Sequence, residues 1–216
     1  MKILYEDNHL LVVEKPINVP MQEDDSKDLD LLSMGKAYLK EKYQKPGNVY
    51  LGLVHRLDRP VGGVVVFAKT SKAAARLSES IRTEGMIKTY EALVEGSLPQ
   101  QTTLVDYLRK DEKTNTSVVT DQAQGKYCEL SWSLIQSIGS LHHLRIHLKT
   151  GRSHQIRVQF AARGCPLWGD QRYNQRAKAG QQLALWAVEL TFPHPTTHQS
   201  LTFTSSPQFP AHLFKQ

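Results

Sequence analysis

Apolar residues recur along this chain with two periods, and each change of period marks an element. Residues 3–6 and 10–14 are mostly apolar on either side of Asp7-Asn8, which predicts a hairpin stopped at Lys15-Pro16. Acidic residues 23–30 belong to a loop or a frayed helix start. Leu31, Met34, Tyr38 and Leu39 then fall at helical spacing, so the pattern predicts a helix over 29–44 ended by Pro46-Gly47. A strand over 49–54 leads into His55–Pro60, and residues 63–68 read as a buried strand. Thr70 or Ser71 can cap the next helix, which carries Ala73, Leu77 and Ile81 on one face and ends at Gly85.

The second half has strand periodicity at 87–95, 102–109, 116–120, 127–137 and 141–149, with connections short enough to favour antiparallel pairing. After Thr150-Gly151-Arg152 the period returns to helical, and Ser153 can cap a short helix over 154–163 that buries Ile156 and Phe160. Strands over 183–192 and 200–205 close the pattern. No repeat or clear linker interrupts it. The expectation is an α+β fold in one domain spanning 1–216, an extended and mostly antiparallel sheet with flanking helices.

Composition narrows the class. No stretch approaches the ~18 consecutive apolar residues of a membrane helix, and the acidic start, Met1 to Asp7, lacks the features of a secretory signal. A cytoplasmic protein is expected. Cys128 and Cys165 are too far apart in sequence for a Cys-x-x-Cys pair and read as two reduced thiols. Lys and Arg outnumber Asp and Glu by 27 to 21, which favours a polyanionic partner without requiring one. More telling is the gathering of Arg56, Arg59, Arg152, Arg157, Arg163, Arg172 and Arg176 in or near turns, because arginine's planar fork suits phosphate and carboxylate.

Three segments could carry chemistry. His55-Arg56-Leu57-Asp58-Arg59-Pro60 sets charge between two apolar strands. An aspartate there could simply cap its own turn, but flanking arginines would also favour the ionised form that a nucleophile needs. Lys149 to Arg157 could offer backbone N–H groups beside Arg152 as an anion site, or be an ordinary polar helix start. Tyr90, in the alternating strand Lys88 to Val94, is either a sheet residue or a ring able to stack on a base and move a proton. His143 and His147 share a strand face but stand some 13 Å apart by strand rise, so no metal site is expected. Nucleotide-binding glycine motifs and the Gly-x-Ser-x-Gly elbow are absent.

Taken together and in order, these segments resemble the RluA-type family of RNA pseudouridine synthases. The resemblance rests on His55 to Arg59 followed by Gly63 to Thr70, on Lys88-Thr89-Tyr90, on Thr150 to Arg157, and on Gly169-Asp170 with Tyr173, and it spans residues 3–205. It implies that Asp58 attacks or otherwise assists departure of uracil from the ribose C1′, after which the base rotates and rebonds through C5 without a cofactor. It further implies that Arg152 pairs with Asp58, that Tyr90 stacks on the uracil and helps remove the C5 proton, and that Leu185 packs on the base. Arg56 would fill the space left by the flipped uridine, with His154, Gln155 and Arg157 helping to bind RNA.

Where family members often have Thr-Ser-Gly, this chain has Val61-Gly62-Gly63, and Trp186 stands where a histidine is usual. The roughly 50 residues ahead of the aspartate motif are too few for an S4 RNA-binding domain, which suggests a small stem-loop of ribosomal or transfer RNA as substrate, acted on by a monomer with no required protein partner. The rival expectations are an inactive RNA binder or chaperone on the same fold, and a small-molecule glycosidase or nucleosidase.

Overall fold

The structure, a computed structural model, describes residues 1–214. These form eleven strands, three α-helices and a terminal 3-10 turn, an α+β fold as the periodicity implied. The backbone divides into two compact units, residues 1–87 with 187–206, and residues 88–186 with 207–214.

In the first unit, β1 (Lys2–Glu6) and β2 (Leu10–Lys15) make the expected hairpin. β2 continues antiparallel onto β4 (Gly62–Ala68), with Leu10 opposite Ala68 and Lys15 opposite Gly63. β10 (Leu185–Pro193) and β11 (Ser200–Thr204) form a second antiparallel hairpin in which Leu190 faces Phe203. Two helices explain why the runs Leu10–Val13 and Val64–Ala68 are apolar throughout rather than alternating. α2 (Ser71–Arg82) belongs to the core of Leu10, Val12, Val64, Val66, Ala73 and Leu77. The intervening residues Leu11, Val13, Val65 and Phe67 are fully buried as well, and α1 (Leu31–Lys42) brings Gly35 close to Leu11 and Leu51. Burial on this scale stabilises by roughly 1.5–3 kcal/mol for each large aliphatic side chain.

Both helix starts follow the capping rules. Asp30 accepts from the Ser33 N–H at 2.9 Å, and Thr70 accepts from the Ala73 N–H at 3.1 Å. The strand expected over 49–54 shrinks to β3 (Gly52–Leu53), which pairs only with Ala68 and Phe67. Val49 and Leu51 are buried outside any ladder, so their apolarity came from packing and not from strand structure.

The second unit is an antiparallel array in the order β5 (Ile87–Glu95), β9 (Leu141–Leu148), β8 (Lys126–Ile138), β6 (Thr103–Asp111), β7 (Thr116–Thr120). α3 (Gln155–Ala161) packs on it: Phe160 meets Trp132 edge-on at 6.2 Å, and Val158 clusters with Leu108 and Cys128. Both cysteines are free and buried, and burial pushes each thiol up to about 11. No helix among the described residues is long and apolar enough to cross a membrane.

Candidate active site

Asp58 lies in the first unit, half-buried on a turn with no regular structure, where its carbonyl accepts the Val61 N–H at 3.0 Å. The turn is tied down from three sides. His55 Nε2 accepts the Val66 N–H at 3.0 Å, anchoring the segment before the aspartate to β4. Leu57 is buried. Lys15, the last residue of β2, is fully buried, and its Nζ donates to the carbonyls of Pro16 and Arg59, both at 2.9 Å, and of Val61 at 2.7 Å. Burial pushes the Lys15 amine down to about 7, the nearby Asp58 opposing that fall and Arg59 adding to it.

Gly63 is required by this geometry. Its φ is 121°, outside the range open to most side chains, and a Cβ there would collide with the Ala187 carbonyl. Val61-Gly62-Gly63 thus differs from the commoner family pattern while keeping the one glycine the backbone cannot replace. Arg56 is exposed, and Arg59 turns outward to the acidic loop, contacting Ser26 Oγ at 2.9 Å, Asp28, and Asp24 at 3.7 Å.

The other predicted residues lie in the second unit. Tyr90 is buried on β5 opposite Ile146, and Lys88 shares its face. Burial lowers the Lys88 pKa, and its Nζ lies 3.4 Å from the point where a Cβ on Gly151 would sit, so the loop before α3 comes close to the Tyr90 strand. Arg152 is exposed, its Nε donating to the Tyr127 carbonyl at 2.9 Å. Leu185 is buried at the start of β10, next to buried Trp186.

The remaining motif residues have inward-facing partners, a distribution the sequence did not reveal. Gln155 accepts from the Arg152 N–H at 3.0 Å and the Thr150 hydroxyl at 2.8 Å, and donates to the Glu129 carbonyl and to Gln159, both at 3.1 Å. Arg157 is 4% exposed, its guanidinium clamped bidentately by Asp170 at 2.8 and 2.7 Å and lying over the Tyr173 ring. His154 Nδ1 and the Tyr173 hydroxyl are 2.7 Å apart, and that hydroxyl accepts the Ser117 N–H at 2.7 Å. The expected Ser153 cap is replaced by His154 in a left-handed conformation, φ 53°, with no side-chain cap bond. Ser153 instead uses its carbonyl to accept the Ser117 hydroxyl at 2.8 Å.

Lys15 was the residue missed. Its signal was a charged side chain continuing, in register, the inward positions Leu11 and Val13, where the sequence suggested only a strand end. His143 sits against Glu91 at 2.9 Å, beside the rings of Phe209 and Phe214, and His147 against Thr89 at 3.3 Å. Among the described residues no three His, Cys, Asp or Glu side chains group as metal ligands.

Comparison with known proteins places the chain in a family. A model of the family described as RNA pseudouridylate synthase matches residues 9–162, and the chain belongs to that family. Among its relatives, the ribosomal large subunit pseudouridine synthase C of Escherichia coli (strain K12) is 32% identical over 206 residues, covering 90% of this chain and 63% of its own length. The uncharacterized RNA pseudouridine synthase YhcT of Bacillus subtilis (strain 168) is 32% identical over 216 residues, covering 99% of this chain and 70% of its own. The chain thus spans less than two thirds of the synthase C length. In fold it is similar to human RNA pseudouridylate synthase domain containing 4, with a TM-score of 0.78 and 21% identity over 99% of this chain and 90% of that one.

Proposed function

We propose that this chain is an RNA pseudouridine synthase that uses Asp58 as its nucleophile on a flipped-out uridine of ribosomal or transfer RNA. The observation that carries the reading is the Asp58 turn itself: a half-buried carboxylate on irregular backbone fixed by Lys15 and His55, with Arg56 exposed beside it. A turn that merely capped its own backbone would not need a buried lysine to hold it.

In the proposed reaction the N1–C1′ bond of uridine breaks, and the Asp58 carboxylate captures or stabilises the electron-poor C1′. The uracil carries the bonding pair away on its ring, turns while still bound, and forms the C5–C1′ bond. Loss of the C5 proton and gain of a proton at N1 complete the isomerisation, so nothing is oxidised or reduced and no cofactor is required. Tyr90 stacks on the base and assists the C5 proton, Leu185 packs on it, and Arg152 orients the reacting carboxylate, all as the resemblance implies. Flipping costs a few kcal/mol, offset by stacking and phosphate contacts, while exposed Arg56 fills the space the uridine leaves. His154, Gln155 and Arg157 serve RNA binding indirectly, by holding the loop that carries Arg152. The protein acts as a cytoplasmic monomer. Similarity to ribosomal large subunit pseudouridine synthases makes ribosomal RNA the first substrate to try.

The test is pseudouridine mapping in total RNA from cells with and without the gene, then in RNA treated with purified wild type and Asp58→Asn. A site lost with the gene, restored by wild type and not by Asp58→Asn, is expected. Full activity in the variant would remove the nucleophile. Affinity for RNA should also fall steeply between ~50 and ~200 mM salt, and a flat response would point to a small-molecule substrate.

A further inference from the structure

Residues 22–29 form a loop that is exposed throughout. Glu23, Asp24, Asp25 and Asp28 against Lys27 give it a net charge of −3, within a chain whose net charge is +6. Both ends are anchored: Met21 is buried, and buried Asp30 caps α1. Between the anchors the loop bonds to itself. Asp24 accepts from the Ser26 N–H at 3.0 Å and from the Ser26 hydroxyl at 2.5 Å, and Ser26 Oγ accepts from the Asp28 N–H at 3.2 Å. Among the described residues, its hydrogen bonds to the rest of the molecule all go to one side chain, that of Arg59. Nη1 donates to Ser26 Oγ at 2.9 Å and Nη2 donates to Asp28, with Asp24 3.7 Å away. The arginine that follows Asp58 is therefore ringed by carboxylate and hydroxyl oxygens.

Stability does not account for this arrangement. The arginine and both acids are well exposed, and ion pairs in water contribute little. Meanwhile a loop of negative charge beside the Asp58 turn repels the polyanion that an RNA-modifying enzyme must bind. The two facts are reconciled if the loop oxygens hold the place of a phosphate. A guanidinium takes carboxylate and phosphate through the same planar fork, so one can be exchanged for the other. The loop can leave without disturbing the core, since it buries no side chain between its anchors.

We infer that Arg59 binds a backbone phosphate of the substrate RNA, and that Asp24, Ser26 and Asp28 occupy its guanidinium until that phosphate displaces them. This rests on the reading that RNA presents its uridine to Asp58. The acidic loop is then a competitor built into the chain: binding breaks an exposed ion pair, which costs little, and replaces it with a contact to the substrate.

The experiment compares full chains: wild type, Arg59→Gln, the pair Asp24→Asn with Asp28→Asn, and all three substitutions together. Dissociation constants are measured between ~50 and ~200 mM salt for a transcript containing the uridine mapped as this enzyme's target. Arg59→Gln should weaken binding about tenfold at the lowest salt and reduce the slope of log affinity against log salt by about 1. The Asp24→Asn, Asp28→Asn pair should tighten binding about two- to fivefold, because no ion pair has to be broken first. The coupling between the two changes decides the matter: with Arg59→Gln already in place, neutralising the loop should lose most of its effect. Equal tightening with and without Arg59 would mean that the loop only repels RNA, and that result overturns the exchange. An unchanged affinity and salt slope in Arg59→Gln overturns the phosphate contact. Asp58→Asn is assayed separately for single-turnover rate. An active Asp58→Asn overturns the nucleophile reading whatever the binding cycle gives, whereas an inactive Asp58→Asn beside an additive cycle overturns only the exchange at Arg59.

Discussion

The turn that carries Asp58 and the loop that runs from Thr150 into α3 are both dense in charge, yet only the first keeps most of its charged side chains at the surface. Around Asp58, Arg56 and Arg59 are exposed, and the turn is held through its backbone by one buried lysine and one histidine. In the second loop the backbone is held by side chains of the motif itself: Gln155 bridges Arg152, Thr150 and Glu129, Arg157 is locked to Asp170, and His154 to Tyr173. Arg152 alone among that loop's charged motif residues is exposed. Each charged motif thus holds two kinds of residue in one string, those left at the surface and those that fix their neighbours. Burial separates them.

That division can be broken experimentally. The largest effect expected is on Asp58→Asn, which should lower the rate of pseudouridine formation by at least about 1000-fold while the urea midpoint stays close to wild type. Wild-type rates in single-turnover assays would place Asp58 with the residues that hold. Next comes Arg157→Met, which strands the Asp170 carboxylate in the interior and should cost about 3–5 kcal/mol in urea denaturation, with Arg56→Met as the surface control within about 0.5 kcal/mol. Equal stability losses for the two arginines would erase the distinction.

Tyr173→Phe removes the hydroxyl shared by His154 and the Ser117 N–H, and should cost about 1–3 kcal/mol in the same measurement. The smallest effect concerns Glu6. Burial raises its pKa, but hydrogen bonds from Lys42, Lys69, Tyr43 and Tyr38 outweigh that and bring it down to about 2. Because the folded value is depressed below 4.5, this contribution is complete above pH 4.5 and is lost as pH falls toward 2. Glu6→Gln should therefore flatten the acid limb of stability against pH. An unchanged limb would show that other carboxylates govern it.

Much of the fold was legible because its signals are local. Asp30 and Thr70 cap the helices that follow them, as short polar side chains before an apolar helical pattern should. Residues 116–120 form a strand with the expected bounds. Misreadings occurred where an apolar run owed its character to packing, as at Val49 and Leu51, or where a cap was chosen by residue type alone, as at Ser153. Neither error could be seen in sequence: a strand and a packed loop bury the same side chains, and His154 takes the cap position through a backbone conformation its type does not advertise.

By itself, then, the sequence determined which segments would be strands or helices and which residues could do chemistry, because periodicity, capping and motif order are properties of neighbours along the chain. Only the tertiary structure decided that Arg157 faces Asp170 and that Lys15 supports the turn after Asp58. Those partners are 13 residues apart in the first case and 44 and 46 in the second, and a charged side chain shows no sign of burial until the fold brings its acceptors to it.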